Sequence, residues 1–112
     1  MGERSERVAA NETTFRELNE QLEAMNRAVA SLTRNKAFLV VCECADLTCV
    51  ERFDVSLPVY EHVRSDSALF LVVPGHVLPE IETVVERHEG FEVLRKRPGE
   101  PERLAEETDP RR

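Results

Sequence analysis

Apolar residues in the first third of the chain recur in alternating steps of three and four, which is the spacing of one face of a helix. The steps become regular when one asparagine is included, and the series is Val8, Asn11, Phe15, Leu18, Leu22, Met25, Val29 and Leu32. We call this series the heptad seam. It predicts a single helix over residues 5–31, and the polar residues that follow predict a short linker ending at residue 36.

A narrow seam of this kind is buried either against a second helix or against the chain's own sheet. The regular spacing favours a second helix, so we expect a protein partner or a homodimer formed through this segment. Packing of the helix on its own domain remains the alternative. The positions flanking the seam are mostly uncharged and therefore do not specify how two helices would be oriented.

Strand patterns follow the linker. Residues 37–42 and 68–73 are uninterrupted apolar runs, which are typical of strands buried on both faces. Residues 50–56 alternate between apolar and polar, and they predict a half-buried strand that pairs with residues 37–42 in a hairpin. A last strand is expected at residues 91–95.

Two short helices are predicted among these strands. Ser56 and Pro58 are a favourable helix start, so we expect a helix over residues 57–65. Pro79 and Gly90 enclose an apolar stripe at helical spacing, which predicts the second helix. That stripe consists of Ile81, Val84, Val85 and His88.

Composition limits the size of the core and the kind of partner. The chain has 112 residues, 41% of them hydrophobic, with no Trp, which indicates one domain whose core a metal or an oligomer would help to stabilise. The net charge is -7, and residues 37–97 carry eleven acidic against six basic side chains. Nucleic acid is bound chiefly through clustered Lys and Arg, so no nucleic-acid partner is expected. No apolar run approaches a membrane span and the first residues are polar, so we expect no membrane association and a cytoplasmic location.

All three cysteines lie close together, at Cys42, Cys44 and Cys49. Cytoplasmic thiols stay reduced, so the three are expected to be metal ligands or reactive thiols, or else simple core residues, and not a disulfide framework. Residues i and i+2 of a strand are about 6.6 Å apart, whereas two sulfurs on one zinc lie within about 4 Å. The chain must therefore bend directly after Cys42, and Asp46 can cap the turn that returns Cys49 to the pair.

A fourth ligand is expected from the end of the second apolar run. His76 follows a Pro-Gly turn there and would complete a closed Cys3His set for one Zn2+ per chain. Alternatively, His76 caps the next helix or is solvated, in which case Glu43, Asp46 or His88 could be the fourth ligand.

Together these features predict an α+β fold: a long N-terminal helix, a small mixed or antiparallel sheet of about four strands, two short helices and a zinc-knuckle-like turn. Residues 1–36 would form the helix and linker, and residues 37–97 the α+β metal-binding domain. Residues 98–112 are rich in charge, Pro and Gly, and they predict a disordered tail.

The sequence contains no nucleophile triad, phosphate loop or metalloprotease motif. A closed Cys3His site is structural, so we expect a zinc-stabilised interaction or regulatory module that associates through its N-terminal helix. The alternative is a cysteine-based redox switch, which would release metal or form a disulfide on oxidation. A catalytic zinc with Glu43 or Asp46 as base, and an iron-sulfur cluster, also remain open.

This chain resembles a group of proteins that contain the same motifs in the same order. The motifs are the N-E pair at 11–12, the C-E-C at 42–44 with Cys49, and the P-G-H at 74–76. The group consists of small uncharacterised bacterial proteins, and the resemblance covers nearly the whole chain. It implies no activity. In the group a Gly usually stands at position 45 and a Pro-Ser pair at 47–48, so the turn of this chain is expected to differ in shape.

Overall fold

The computed structural model describes residues 2–33, 37–44, 46 and 48–111. Within these residues the chain is α+β, as the sequence predicts, with five strands in two small antiparallel sheets. The elements are α1 (Gly2–Thr33), β1 (Ala37–Val41), β2 (Arg52–Ser56), α2 (Leu57–Arg64), β3 (Leu69–Val72), β4 (Glu82–His88), β5 (Phe91–Lys96) and α3 (Glu100–Glu107). The last residues of the expected linker, 34–36, lie outside the described residues. Among the described residues, no helix combines the length and the apolar character needed to cross a bilayer.

Strands β1 and β2 form the predicted hairpin, with Val40 opposite Phe53. The second sheet has the order β3-β5-β4. Its edge strand β3 meets the end of the hairpin through a hydrogen bond from the Glu43 amide to the Leu71 carbonyl, at 2.8 Å. The inner faces of both sheets pack with α2 into one apolar core, which includes Val40, Val55, Tyr60, Leu71 and Val93. This contact places the hairpin tip beside the end of β3.

Helix α2 begins as predicted. The Ser56 hydroxyl accepts a hydrogen bond from the Val59 amide at 3.3 Å, and Pro58 lies in the first turn. The helix turns Tyr60 and Val63 into the core, where both are fully buried.

The helix predicted between Pro79 and Gly90 is wrong, because the structure has strand β4 there. Residues 83–85 are all β-branched, which favours an extended backbone over a helix. Gly90 has a φ of 89°, so it forms the tight turn that joins β4 to β5. The pairing of β4 with β5, which begins at His88 opposite Phe91, then outweighs the helical spacing of the apolar residues.

The C-terminal segment also differs from the disordered tail that the sequence predicts. Helix α3 packs against α1 and buries Ala105. Beyond it, the Asp109 carboxylate accepts hydrogen bonds from Arg64 and from Ser67, each at 2.6 Å. Asp109 is thus paired with distant parts of the chain, which composition alone does not reveal.

Helix α1 packs on β1 and α3, and only part of the heptad seam takes part in this packing. The seam residues Leu18 and Met25 are 40% and 67% exposed, whereas Leu22 packs at the edge of the core. Among the side chains that the structure describes in residues 7–28, those buried by α1 lie on a mainly polar face and are Ala9, Glu12, Arg16, Asn19 and Glu23. The helix can bury this polar face because the domain presents matching polar groups. Arg16, for example, donates to the carbonyls of Ser67 at 3.0 Å and Ala105 at 2.9 Å.

A buried ion network fixes the N-terminal half of α1. The Lys96 ammonium lies 2.7 Å from the Glu12 carboxylate and 2.6 Å from that of Glu82, and all three side chains are at least 96% buried. Burial raises the pKa of Glu12 to about 7, against the opposing attraction of Lys96. The two carboxylates share one ammonium, so the network has one negative charge more than it can pair.

We expect this surplus charge to make stability depend on pH. In the folded protein Glu12 holds its proton up to about pH 7, whereas the unfolded chain releases it near 4.5. Protonated Glu12 therefore makes its full contribution to the free energy of unfolding below pH 4.5. As the pH rises from 4.5 to 7, up to about 3 kcal/mol of this contribution is lost. Glu12→Gln mimics the protonated form, so it should match the wild type at pH 5 and be more stable at pH 8.

The measurement is urea unfolding of both proteins with zinc present, at each pH. Both proteins contain the same other titratable groups, so the contributions of these groups cancel in the difference between the two free energies of unfolding. One such group is Glu61, whose pKa is lowered to about 2 chiefly by hydrogen bonding to Arg111. A difference that does not change between pH 5 and pH 8 would contradict the prediction.

Candidate metal centre

The hairpin tip bends directly after β1, as the cysteine spacing requires. The Cys42 amide donates to the Glu51 carbonyl at 3.0 Å, which is the last rung of the hairpin. Beyond it, the Asp46 carboxylate accepts from the amide of Thr48 at 2.8 Å and from its hydroxyl at 2.6 Å. The Cys49 amide donates to the Asp46 carbonyl at 3.0 Å. Asp46 thus caps the turn as predicted, and the turn residues at 45 and 47 lie outside the described part of the chain.

His76 reaches the hairpin tip from the other sheet. Strand β3 ends at Val72, and the next residues form a turn closed by a hydrogen bond from the His76 amide to the Val73 carbonyl at 3.1 Å. Gly75 has a φ of 89° in this turn, a conformation that glycine adopts without strain. The imidazole lies beside the cysteines because β3 borders the end of the hairpin.

The ligand atoms of Cys42, Cys44, Cys49 and His76 all lie within 4.8 Å of one another. We call these four residues the Cys3His cluster. His76 Nδ1 is 3.6 Å from Cys42 Sγ and 3.7 Å from Cys49 Sγ. Zinc bonds of about 2.3 Å to sulfur and about 2.0–2.1 Å to nitrogen would place these atoms about 3.6 Å apart in a tetrahedron. The four predicted ligands are therefore close enough to bind one metal ion.

Burial affects the protonation of the thiols. Cys42 and Cys44 are buried, whereas Cys49 and His76 are partly exposed. Burial raises the pKa of the Cys42 and Cys44 thiols, although the Val73 amide donates to Cys42 Sγ at 3.3 Å. Without a cation both thiols would stay protonated, whereas a divalent cation stabilises the thiolates.

Glu51 is a site residue that the sequence analysis missed. Its carboxylate lies 3.2 Å from Nε2 of His76, while Nδ1 of the same ring faces the sulfurs. A carboxylate on the outer nitrogen orients a metal-binding imidazole and fixes its tautomer. The register of the hairpin could have identified Glu51, because a turn that returns Cys49 to Cys42 also brings Glu51 opposite Cys42.

We therefore expect Glu51→Gln to weaken zinc binding about tenfold, at the low end for such partners because Glu51 is half exposed. Competition with a chromogenic zinc chelator measures this change. Glu89→Gln, in the exposed turn between β4 and β5, removes the same charge away from the site and should leave zinc affinity unchanged. Equal affinities for the two variants would contradict a role for Glu51.

The other candidate ligands lie elsewhere. The Glu43 carboxylate turns away from the sulfurs and accepts hydrogen bonds from Leu71 and Asn19. The Asp46 carboxylate accepts a hydrogen bond from the Thr48 hydroxyl. His88 lies on the second sheet, where it contacts Glu86 at 2.9 Å. None of the three belongs to the Cys3His cluster.

Comparison of the chain with protein-family models, with curated proteins and with solved structures found no match.

Proposed function

We propose that this chain is an interaction or regulatory module stabilised by one structural zinc ion in the Cys3His cluster. The observation that supports this proposal most directly is the convergence of three sulfurs and one imidazole nitrogen within 4.8 Å. They come from two separate segments, the hairpin tip and the turn after β3. A bound ion would join the two sheets at a point where the described backbone contributes the hydrogen bond between Glu43 and Leu71.

Zinc fits this site better than an iron-sulfur cluster. Zinc favours tetrahedral sulfur and nitrogen ligands, and the separations of 3.6 and 3.7 Å between His76 Nδ1 and two sulfurs match ligands bound to a single ion. The ligands of an iron-sulfur cluster bind different iron atoms and are therefore spread more widely.

A structural role is favoured over catalysis. Four protein ligands fill a tetrahedral site and leave no position open for water. Glu43, which could otherwise act as a base, is fully buried and directed toward Asn19 and Leu71. Asp46 is directed toward Thr48 within the turn.

Helix α1 is the surface that we expect to bind a protein partner or a second copy of the chain. Its heptad seam leaves Leu18 and Met25 exposed, although the spacing of the seam suits packing against another helix. The solution mass of the purified protein distinguishes a second copy from a different partner.

A thiol switch is the second candidate, and the partial exposure of Cys49 favours it because an oxidant can reach this sulfur. Oxidation of Cys49 would remove one ligand from the ion. Titration with peroxide, with zinc release followed by a chromogenic chelator, tests this function. Retention of zinc at moderate peroxide concentrations would count against it.

Cobalt substitution tests the ligand set. Cobalt in a tetrahedral Cys3His site should show intense visible absorption together with thiolate-to-cobalt charge-transfer bands. His76→Ala should shift the visible bands, because water or a buffer ion would replace nitrogen. His88→Ala, a histidine that contacts Glu86 away from the cluster, is the matched control and should leave the spectrum unchanged. A spectrum that His76→Ala does not alter would exclude His76 as the fourth ligand.

A further inference from the structure

The polar face of α1 is attached to the backbone that carries the metal ligands. Asn19 Nδ2 donates to the Val41 carbonyl at 2.9 Å, and Asn19 Oδ1 accepts from the Val41 amide at 2.8 Å. The side chain therefore satisfies both backbone groups of Val41, much as a neighbouring strand would. Val41 directly precedes the ligand Cys42, so α1 contacts the chain at the entrance to the metal site.

Glu43 makes a second connection from between two ligands. Its side chain is completely buried, with Oε2 accepting from Asn19 Nδ2 at 2.8 Å and Oε1 accepting from the Leu71 amide at 3.0 Å. The sulfurs of Cys42 and Cys44 belong to the Cys3His cluster, while the carboxylate between them points toward α1 and β3. The backbone of residues 42–44 thus positions both the two sulfurs and the Glu43 carboxylate.

The contact between α1 and the domain is sensitive to such positions because it is mainly polar. Its buried side chains include Glu12, Arg16, Asn19 and Glu23, whose hydrogen bonds require correct distances and angles. A buried polar group that loses its hydrogen-bond partner costs its full desolvation free energy, whereas an apolar contact tolerates small shifts. A displaced Glu43 would leave the Leu71 amide without its acceptor and would remove one of the two acceptors of the Asn19 amide group.

Resting on the proposed function, we propose that the metal bound at the Cys3His cluster controls the docking of α1. Bound metal fixes Cys42 and Cys44, and thereby holds Glu43 and Val41 where Asn19 can bond to them. Without the metal, the segment from 42 to 49 keeps its own turn, closed by Asp46, but loses the link to His76. The Glu43 carboxylate then loses its fixed position, and the part of α1 around Asn19 is released from the domain. Zinc occupancy thereby determines whether the face of α1 that carries Asn19 is buried or exposed.

Hydrogen exchange measured by mass spectrometry tests this coupling. In the zinc-bound protein, amides of residues 17–23 should be protected, and removal of zinc by a chelator should increase their exchange at least tenfold, because a helical segment released from its domain is marginal in water. Strands β3, β4 and β5 should keep their protection. Loss of protection in all three strands together with α1 would show global unfolding rather than release of the helix, and would overturn the proposal.

The reciprocal measurement uses zinc affinity. If zinc strengthens docking, docking must strengthen zinc binding by the same factor, so Asn19→Ala should lower zinc affinity about tenfold. Gln21→Ala, on the exposed side of the same helix, is the matched control and should have no effect. Equal zinc affinities for the two variants, with exchange of α1 independent of zinc, would overturn the coupling and leave the zinc site standing. Failure of the wild-type protein to bind zinc would instead overturn the proposed function.

Discussion

Cys44→Ser is expected to abolish tight zinc binding and to destabilise the protein by on the order of 5 kcal/mol. In the proposed function zinc binds the folded chain and not the unfolded one, so its binding free energy, about 10 kcal/mol or more for small structural sites, contributes to folding. Cys44 is buried within the Cys3His cluster, and a serine oxygen is a poor replacement for its thiolate. Thermal and urea unfolding with stoichiometric zinc measure the loss.

The control for this variant is Val50→Ser. Val50 lies beside Cys49 but is 78% exposed, so its replacement should change neither zinc content nor melting temperature. A Cys44→Ser protein with the same melting temperature as the wild type would contradict a stabilising role for zinc, since it would show that the domain is stable without the ion.

Lys96→Met is the second variant for which we expect a large effect, a loss of about 3–5 kcal/mol at pH 8. The ammonium of Lys96 pairs with Glu12 and Glu82 inside the protein, so its removal leaves two buried carboxylates without a positive partner. At pH 5 the loss should shrink, because Glu12, whose pKa is raised by burial, can take up a proton. Urea unfolding at the two pH values measures both effects.

Two further proteins sharpen this test. Adding Glu12→Gln and Glu82→Gln to Lys96→Met should recover most of the lost stability, because the buried charges are then removed together. Arg103→Met breaks an exposed pair with Glu107 and should have little effect. Equal losses at pH 5 and pH 8, without recovery in the triple variant, would mean that packing of the Lys96 stem and not its charge stabilises this region.

Local patterns were sufficient to predict the hairpin and the residues of the Cys3His cluster. Alternation in residues 50–56, the apolar run before Cys42 and the turn propensity of Asp46 all indicate the same local structure. The Pro-Gly turn before His76 places that residue at the end of a strand. Spacing along the chain therefore identified the four clustered residues, but the position of Glu51 on His76 required the register of the hairpin.

Strand β4 shows where local patterns conflict. Its apolar residues have helical spacing, yet its β-branched residues and the turn at Gly90 favour a strand. Only pairing with β5 decides between them, and this pairing is a tertiary interaction that a short window of sequence does not contain.

The orientation of α1 could not be predicted for a different reason. Periodicity identifies the apolar side of a helix, and we expected that side to be buried. Here the buried side is polar because Lys96, the carbonyls of Ser67 and Ala105, and the backbone of Val41 supply partners from distant positions. A buried polar face is recognisable only when its partners are known.

The zinc content of the intact protein, purified without a histidine tag and measured by native mass spectrometry, tests directly whether the Cys3His cluster binds an ion. We expect one zinc ion per chain, and none in protein that carries Cys44→Ser. A wild-type protein that remains folded and free of metal in the presence of zinc would contradict this expectation.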